Sequence, residues 1–546
     1  MGELAFSSHF QRQSGDVGTS WLRTVKGSVL DPQQPVASET KADAPKTDYQ
    51  ALRELDHSLA RSLAWRAVAD WTSQILTWSS LLIVVRLLTP ADFGLVGMAV
   101  VLVPYLKFLT DFGIPRTVVT LRHLTEDQLA QLNSVTALLS VVCFGIACLL
   151  ARPIELFFRA PGLAPVFIVS CLAILPQGFR AVSDGLLAKD MQFPLLSLFE
   201  AARSISAAVV TLVMAYMGYG YWALVWGNVI GTFLRCVLVM RRKPVRFAKP
   251  VLSTIREPLI FGWHVLVSIV ALNSYERLDN VTAGRVLGRS ALGIYAMAWN
   301  LAYVPLEKVT SLVTIVLPSY FSAVQHDLVA LRRYVRTLTE GLALATFPAT
   351  IGLGLVAREL VPIAFGKKWI GVIAPLEVLS VFVAVRSIVP VLSRVLTAIG
   401  NARFVMWNDL AALCFLPIAF YIGSHWGVAG IAWAWVVAYP FVASRLCIKA
   451  LKTIKMTFRE YFQALRPALD GTIAMALVVI ALKMGLPQSV PLLVRLILEI
   501  ACGAFAYGAT VFLGHKERVM AFVRAAQSFR KARKESKKKD ILQTRA

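Results

Sequence analysis

Arg86-Leu-Leu-Thr-Pro-Ala-Asp-Phe-Gly-Leu-Val-Gly-Met-Ala99 lines up without a gap on Arg285-Val-Leu-Gly-Arg-Ser-Ala-Leu-Gly-Ile-Tyr-Ala-Met-Ala298, with the Arg, Leu, Gly, Met and Ala positions coinciding. Each copy joins two long apolar stretches. A weaker echo links Gly220 through Trp226 with Gly427 through Trp433. The spacing of the two copies makes one half of the chain a repeat of the other, and everything else is organised around that.

A bilayer core of about 30 Å takes roughly 20 apolar residues per helix. From residue 64 to 514 the sequence supplies such stretches almost back to back, and fourteen spans are expected. The first copy links span one (64–88) to span two (92–113); the second links span seven (258–282) to span eight (291–317). Spans one to six and seven to twelve are therefore two lobes. Six is even, so the lobes share one orientation and are related about an axis along the membrane normal, an arrangement associated with alternating access. Spans thirteen (468–485) and fourteen (490–514) are additions. The expected organisation is a disordered cytoplasmic tail at 1–60, an N-lobe at 61–250, a C-lobe at 251–452, the last two spans within 453–515, and a basic tail at 516–546. The fold class is all-α, polytopic and membrane-embedded.

Composition agrees, since 57% of the 546 residues are hydrophobic and 16% charged. That excludes an ordinary soluble domain. The net charge of +24 would suit a nucleic-acid partner if it were clustered on one face. Instead the cations sit on alternate loops: Arg241, Arg242, Lys243, Arg246, Lys249 and Arg256 on one, Lys449, Lys452, Lys455, Arg459 and Arg466 on another. Positive loops mark the cytoplasmic side, so both termini are expected inside and nucleic acid is not called for. The seven cysteines lie in apolar stretches without ligand spacing, and neither a disulfide framework nor a metal site is indicated.

No loop is long enough to hold a catalytic acid, base or metal, so enzymatic chemistry is not expected. His264 reads as a hydrogen-bonded interior residue. The informative residues are charges within the spans, because an ionisable group at bilayer depth is costly and faces a cavity or a partner. Arg66/Asp70, Lys107/Asp111, Arg180/Asp184 and Arg495/Glu499 are four apart and Glu200/Arg203 three apart, so each pair shares a helix face. Asn273, Glu276, Asp279 and Asn280 gather on span seven while Arg277 points elsewhere. Glu307 and Lys308 follow Pro305 on span eight. Arg66, Lys107, Arg277 and Lys308 are candidates to hold a diphosphate. Asp70, Asp111, Glu276, Asp279 and Glu307 are candidate cavity acids, suited to a coupling H+ or Na+; no other cofactor is expected.

Several segments resemble the polysaccharide-transport (Wzx-like) flippases of the multidrug/oligosaccharidyl-lipid/polysaccharide exporter superfamily. They are Arg86 to Gly94, Ala188-Lys-Asp-Met-Gln-Phe193, Gly218-Tyr-Gly-Tyr-Trp-Ala-Leu-Val225, Leu278-Asp-Asn280 with Gly284-Arg-Val-Leu-Gly288, and Leu292-Gly-Ile-Tyr295. The resemblance covers roughly residues 60–460 and implies a two-lobed transporter, not an enzyme. It implies transfer of undecaprenyl-diphosphate-linked oligosaccharide to the outer leaflet of the bacterial inner membrane, for exopolysaccharide, capsule or O-antigen assembly. Membrane lipid, a polymerase and a co-polymerase are the further partners it implies. In such flippases spans one, two, seven and eight line the cavity, which points to Arg66, Asp70, Lys107, Asp111, Glu276, Arg277, Asp279 and Lys308. Spans thirteen and fourteen look like those that accept the lipid tail in lipid II flippases. The chain departs from the pattern in its longer N-terminal tail and in Glu276-Arg277 before the Asp.

Two other readings compete. A multidrug or small-molecule cation antiporter shares the fold, but twelve spans would be expected of it. A membrane-embedded polymerase or glycosyltransferase would need a long loop carrying Arg or acid motifs.

Overall fold

The computed structural model describes residues 74, 77–121, 123–273, 277–314, 328–487 and 489–516. The expected N-terminal tail, Arg66, Asp70, Glu276 and nearly all of the basic C-terminal tail lie outside them.

The chain is all-helical where it is described. The first half comprises α1 (Thr77–Leu87), α2 (Pro90–Val100), α3 (Val103–Asp111), α4 (Ile114–Thr120), α5 (Glu126–Phe158), α6 (Leu163–Cys171), α7 (Ile174–Lys189), α8 (Phe193–Tyr216) and α9 (Trp222–Arg242). The second comprises α10 (Leu252–Asn273), α11 (Leu278–Thr282, running into a π-turn at Ala283–Leu287), α12 (Arg289–Thr314), α13 (Leu328–Leu355), α14 (Ala357–Ala364), α15 (Ile373–Ala398), α16 (Ala402–Ser424) and α17 (Gly427–Thr453). Two further helices follow, α18 (Phe458–Gly485) and α19 (Leu492–Gly514).

Among the described residues, 11 helices are long and apolar enough to cross a membrane, fewer than the fourteen expected. The three expected spans not among them are the first, seventh and eighth. The first is only partly described. The eighth carries Arg289, Glu307 and Lys308, and polarity rather than length sets it apart. Of the seventh, residues 274–276 lie outside the described residues; on either side of them α10 packs on α3, α4 and α5 of the first half and on α16 of the second, and α11 on α2 of the first half and on α12 and α16 of the second.

Local chemistry explains the helix ends. Thr89, Thr125 and Thr457 each accept from a backbone N–H three residues on, and Asp92, Gln128 and Glu460 return the bond, closing reciprocal caps at α2, α5 and α18. Span two bends twice. α3 begins ahead of Pro104, and Phe112 (φ 45°) and Gly113 (φ 68°) form a left-handed turn ahead of Pro115. Gly113 is required there for a second reason: a Cβ would lie 2.6 Å from the Gly262 carbonyl on α10. The connection between the halves is fastened to α5, where Asn133 Nδ2 donates to the Val245 carbonyl (3.2 Å) and the Val251 amide donates to Gln131 Oε1 (3.0 Å).

The two repeat copies meet. A methyl on Gly94 of α2 would overlap the Arg289 carbonyl of α12, and one on Gly293 would overlap the Pro90 carbonyl. Gly94 and Gly293 are equivalent positions of the repeat, and so are Pro90 and Arg289. Around this contact each half reaches into the other. Arg86 donates from Nε to the Ala364 carbonyl (3.0 Å) and from Nη2 to that of Ile363 (2.5 Å), at the end of α14. Its repeat equivalent, Arg285, lies over the Phe157 ring (5.6 Å) at the end of α5. Trp369 Nε1 donates to the Val85 carbonyl (2.9 Å), and its ring meets Phe93 edge-on (5.2 Å).

Candidate functional site

The α12 face that touches α2 does not end with the contact. Successive residues advance about 100° around a helix, so Gly293 shares a face with Asn300, and one turn pair later with Glu307 and Lys308. Asn300, Glu307 and Lys308 are exposed. The halves thus touch at one end of α12, and further along the same face is polar and unburied, as the wall of a crevice would be.

The first half holds a charged network inside its helices. On α3, Lys107 and Asp111 share a face, but among the described residues no ion pair joins them; Asp111 instead accepts from Gln177 Nε2 on α7 (2.7 Å). One turn along α7, Arg180 pairs with Asp184. Arg235 of α9 lies between two acids, with Nη2 3.4 Å from Asp184 Oδ1 and Nη1 2.9 Å from Glu200 Oε2. Arg203 closes the chain at 2.6 Å from Glu200 Oε1. Three arginines therefore share two carboxylates, and Lys107 adds a fourth cation near Asp111 without a direct ion pair among the described residues. The Nε atoms of Arg180 and Arg235 are buried without a hydrogen-bond partner among the described residues. In an apolar bundle, a surplus positive charge with donors to spare is a place for an anion.

Small residues build this arrangement. Gly227 and Gly231, one turn apart on α9, pack on α8, where a Cβ at Gly231 would lie 2.7 Å from the Arg203 carbonyl. Arg235 is the next residue on that face, so the close approach sets it beside Glu200 and Arg203. Gly178 does the same for α7 against α5, where a Cβ would lie 2.5 Å from the Thr136 carbonyl.

The second half is aromatic where the first is charged. Asp279 is fully buried and accepts four hydrogen bonds: from Tyr295 Oη (2.7 Å), Trp435 Nε1 (3.1 Å), and the Asn280 amide (2.6 Å) and Nδ2 (2.8 Å). Trp299 stacks on Tyr303 with centroids 4.7 Å apart. The Arg386 guanidinium stands over the rings of Tyr439 (5.7 Å), Tyr303 (5.9 Å) and Phe382 (6.0 Å).

The expected site residues are thus distributed. Lys107 and Asp111 belong to the network of the first half, Glu307 and Lys308 to the exposed face of α12, and Arg277 is exposed beside α11. Asp279 is in the interior of the second half, away from water. Arg180/Asp184 and Glu200/Arg203 pair as their spacing predicts. Arg495 does not pair with Glu499; its Nη2 donates to the Pro487 carbonyl (3.0 Å), because the chain before α19 turns back over it. His264 is exposed rather than interior, with Nδ1 2.7 Å from the Ile260 carbonyl. Arg235 and Arg386 escaped the sequence reading. Each is a lone cation in an apolar stretch, a visible signal, but both acids of Arg235 and two of the three rings under Arg386 come from other helices, where no spacing announces them.

Among known proteins, the profile of the family described as "Polysaccharide biosynthesis protein" matches residues 83–374. The chain is 26% identical over 439 residues to the lipopolysaccharide biosynthesis protein WzxC of Escherichia coli, covering 77% of this chain and 83% of that one. It is 25% identical over 413 residues to the teichuronic acid biosynthesis protein TuaB of Bacillus subtilis, covering 74% and 84%. Its fold is similar to that of the lipid II flippase MurJ in an inward closed conformation, with a TM-score of 0.67 at 13% identity over 83% of this chain and 99% of that one.

Proposed function

Because the chain belongs to the polysaccharide biosynthesis protein family, we propose that it flips undecaprenyl-diphosphate-linked oligosaccharide units across the bacterial inner membrane for exopolysaccharide, capsule or O-antigen assembly. It is a transporter, not an enzyme. The names of its relatives support this reading, as does the likeness of its fold to a lipid flippase. The observation that carries it is the network of Lys107, Arg180, Arg203 and Arg235 against Asp111, Asp184 and Glu200. A diphosphate brings the negative charge that this surplus of donors lacks, and Arg can meet it with two parallel bonds.

The cation count of the loops puts both termini in the cytoplasm. The Gly94–Gly293 contact then lies at the outer end, and the polar face of α12 opens inward. Substrate enters that crevice, the outer contact parts, and the inner ends close: alternating access by two lobes. Coupling to H+ or Na+ through the acids of the second half accompanies the cycle. A cation at Asp279 has to displace the Tyr295 and Trp435 donors, whereas Glu307 is open to water. Partnership with a polymerase and co-polymerase completes the proposal.

The test is a strain lacking the chain. Lipid-linked repeat units accumulate on its cytoplasmic leaflet, and Arg235→Ala, inserted at normal levels, fails to restore polymer. Polymer output unchanged by the deletion would overturn the reading.

A further inference from the structure

Away from the crevice, α18 lies against α13, and α19 against α14. Three ionisable side chains converge there from three helices. Lys483 Nζ of α18 is 2.5 Å from Glu359 Oε2 of α14 and 3.4 Å from Glu499 Oε2 of α19. Glu359 is 4% exposed and Glu499 0%. Neither oxygen of Glu499 makes a hydrogen bond among the described residues, so its approach to Lys483 is an ion-pair contact only.

Two cavities flank the cluster. One of about 430 Å³ is lined by Glu499 and otherwise by side chains such as Pro348, Leu360, Met475 and Val479. The other, of about 310 Å³, is lined by Lys483, Arg358, Glu377 and Ser380. Among the described residues no other ion pair reaches the cluster, although Arg358 stands next to Glu359 in the chain. Arg358 of α14 is engaged by Glu377 (2.9 Å), and Arg495 of α19 by the carbonyls of Leu486 (3.3 Å) and Pro487 (3.0 Å). The wall that α13 contributes is Pro348, Ala349, Gly352 and Leu353. Tyr507 of α19 donates its hydroxyl to the Leu344 carbonyl (2.7 Å). Asp470 and His515 pair with each other at the other ends of α18 and α19.

One ammonium thus faces two buried carboxylates. With both ionised, the cluster holds a net negative charge in an apolar wall, and a buried charge without its counterpart costs several kcal/mol. A metal cation would have to sit beside the ammonium and be repelled by it. A proton needs no such room, and turns an unbonded carboxylate oxygen into a donor.

We propose that Glu359, Lys483 and Glu499 form a proton-binding site, in which one exchangeable proton is held between the two carboxylates while the ammonium balances the other. The polar cavity beside Lys483 is the route by which the proton exchanges with water. The site fastens the two C-terminal helices to the second half and stands whether or not the crevice carries a lipid-linked sugar.

The test is infrared spectroscopy of the full chain in lipid nanodiscs at neutral pH, following the carbonyl stretch of protonated carboxyl groups and its shift in D2O. The wild type is expected to show a band that is lost in Glu359→Gln and in Glu499→Gln and kept in Glu377→Gln. Lys483→Met leaves two carboxylates and no ammonium, so the band from this site should grow to about twice its area. This arm reads a gain, and it stands if a Gln variant does not fold. A band untouched by either Gln variant and unchanged in Lys483→Met overturns the proposal. So does a wild type lacking the band whose thermal stability rises with added Na+, which would make the site a metal-cation site.

Discussion

Gly94 and Gly293 hold the same position in two copies of one repeat, and they lie against each other: a Cβ on Gly293 would come 2.9 Å from the amide nitrogen of Gly94. Both obstacles to a side chain here are backbone, which cannot swing aside as a flexible side chain can. Gly94→Val is therefore expected to wedge α2 from α12. Overpacking of this kind costs about 1–3 kcal/mol. Labels on α2 and α12 should report a longer distance by spin-label measurement, and polymer output should fall by about fivefold or more, since roughly 1.4 kcal/mol against the joined state is a factor of ten. An unchanged distance would show that this contact does not hold the halves together.

Arg86 fastens the same end by another means, with two donors on the free carbonyls at the end of α14. Those carbonyls have no partner within their own helix, so the guanidinium acts as a cap contributed by the other half. A hydrogen bond from a charged donor is worth about 1.5–3 kcal/mol, and less where water competes. Arg86→Ala should lower the melting temperature and raise the labelling rate of a cysteine placed at position 93. Arg86→Lys, with one point charge in place of a planar fork, should recover only part of both effects. If Lys restores both fully, charge rather than two-point geometry is what matters.

These contacts show where sequence reading works. The alignment of the repeat marks Gly94 and Gly293 as equivalent positions, and the structure adds that they lie against each other, which equivalence by itself does not say. Helix ends were legible for a local reason: Thr89, Thr125 and Thr457 each stand three residues before a group that can return the cap. Pairs on one helix were legible too, such as Arg180 with Asp184. What spacing could not supply were partners on other helices. Arg235 has two acids on α7 and α8, Glu499 its ammonium on α18, and Asp279 its donors on α12 and α17.

Arg235 is the member of the charged network that touches two acids. Its removal leaves Asp184 with Arg180 and Glu200 with Arg203, but draws α9 out of the network. Breaking a buried pair costs about 3–5 kcal/mol; with 18% of its side chain exposed, Arg235 should fall at or below the low end. Arg235→Ala is expected to destabilise the chain more than Arg203→Ala, which loses a single acid. The comparison is made by thermal unfolding in one detergent. Equal losses would mean that the bridge between Asp184 and Glu200 carries no weight.

Asp279 poses the sharpest choice between structure and transport. Its carboxylate accepts from Tyr295, Trp435 and twice from Asn280, and each oxygen takes two of these bonds. Asn at this position keeps one acceptor and turns the other into an NH2, which sets donor against donor on one side. A buried group left with no acceptor costs roughly 1–3 kcal/mol. As a structural acceptor, Asp279 predicts that Asp279→Asn unfolds at a lower temperature, that Tyr295→Phe loses less, and that polymer output follows stability through both. As a coupling acid it predicts a different pattern: Tyr295→Phe frees the carboxylate and leaves transport working with an altered pH dependence, while Asp279→Asn abolishes it whatever the stability. The four donors favour the structural pattern, because they occupy both oxygens and at least one of them has to be given up before a coupling ion can be held. A folded Asp279→Asn with normal melting and no polymer would reverse that assignment and make Asp279 part of the transport path.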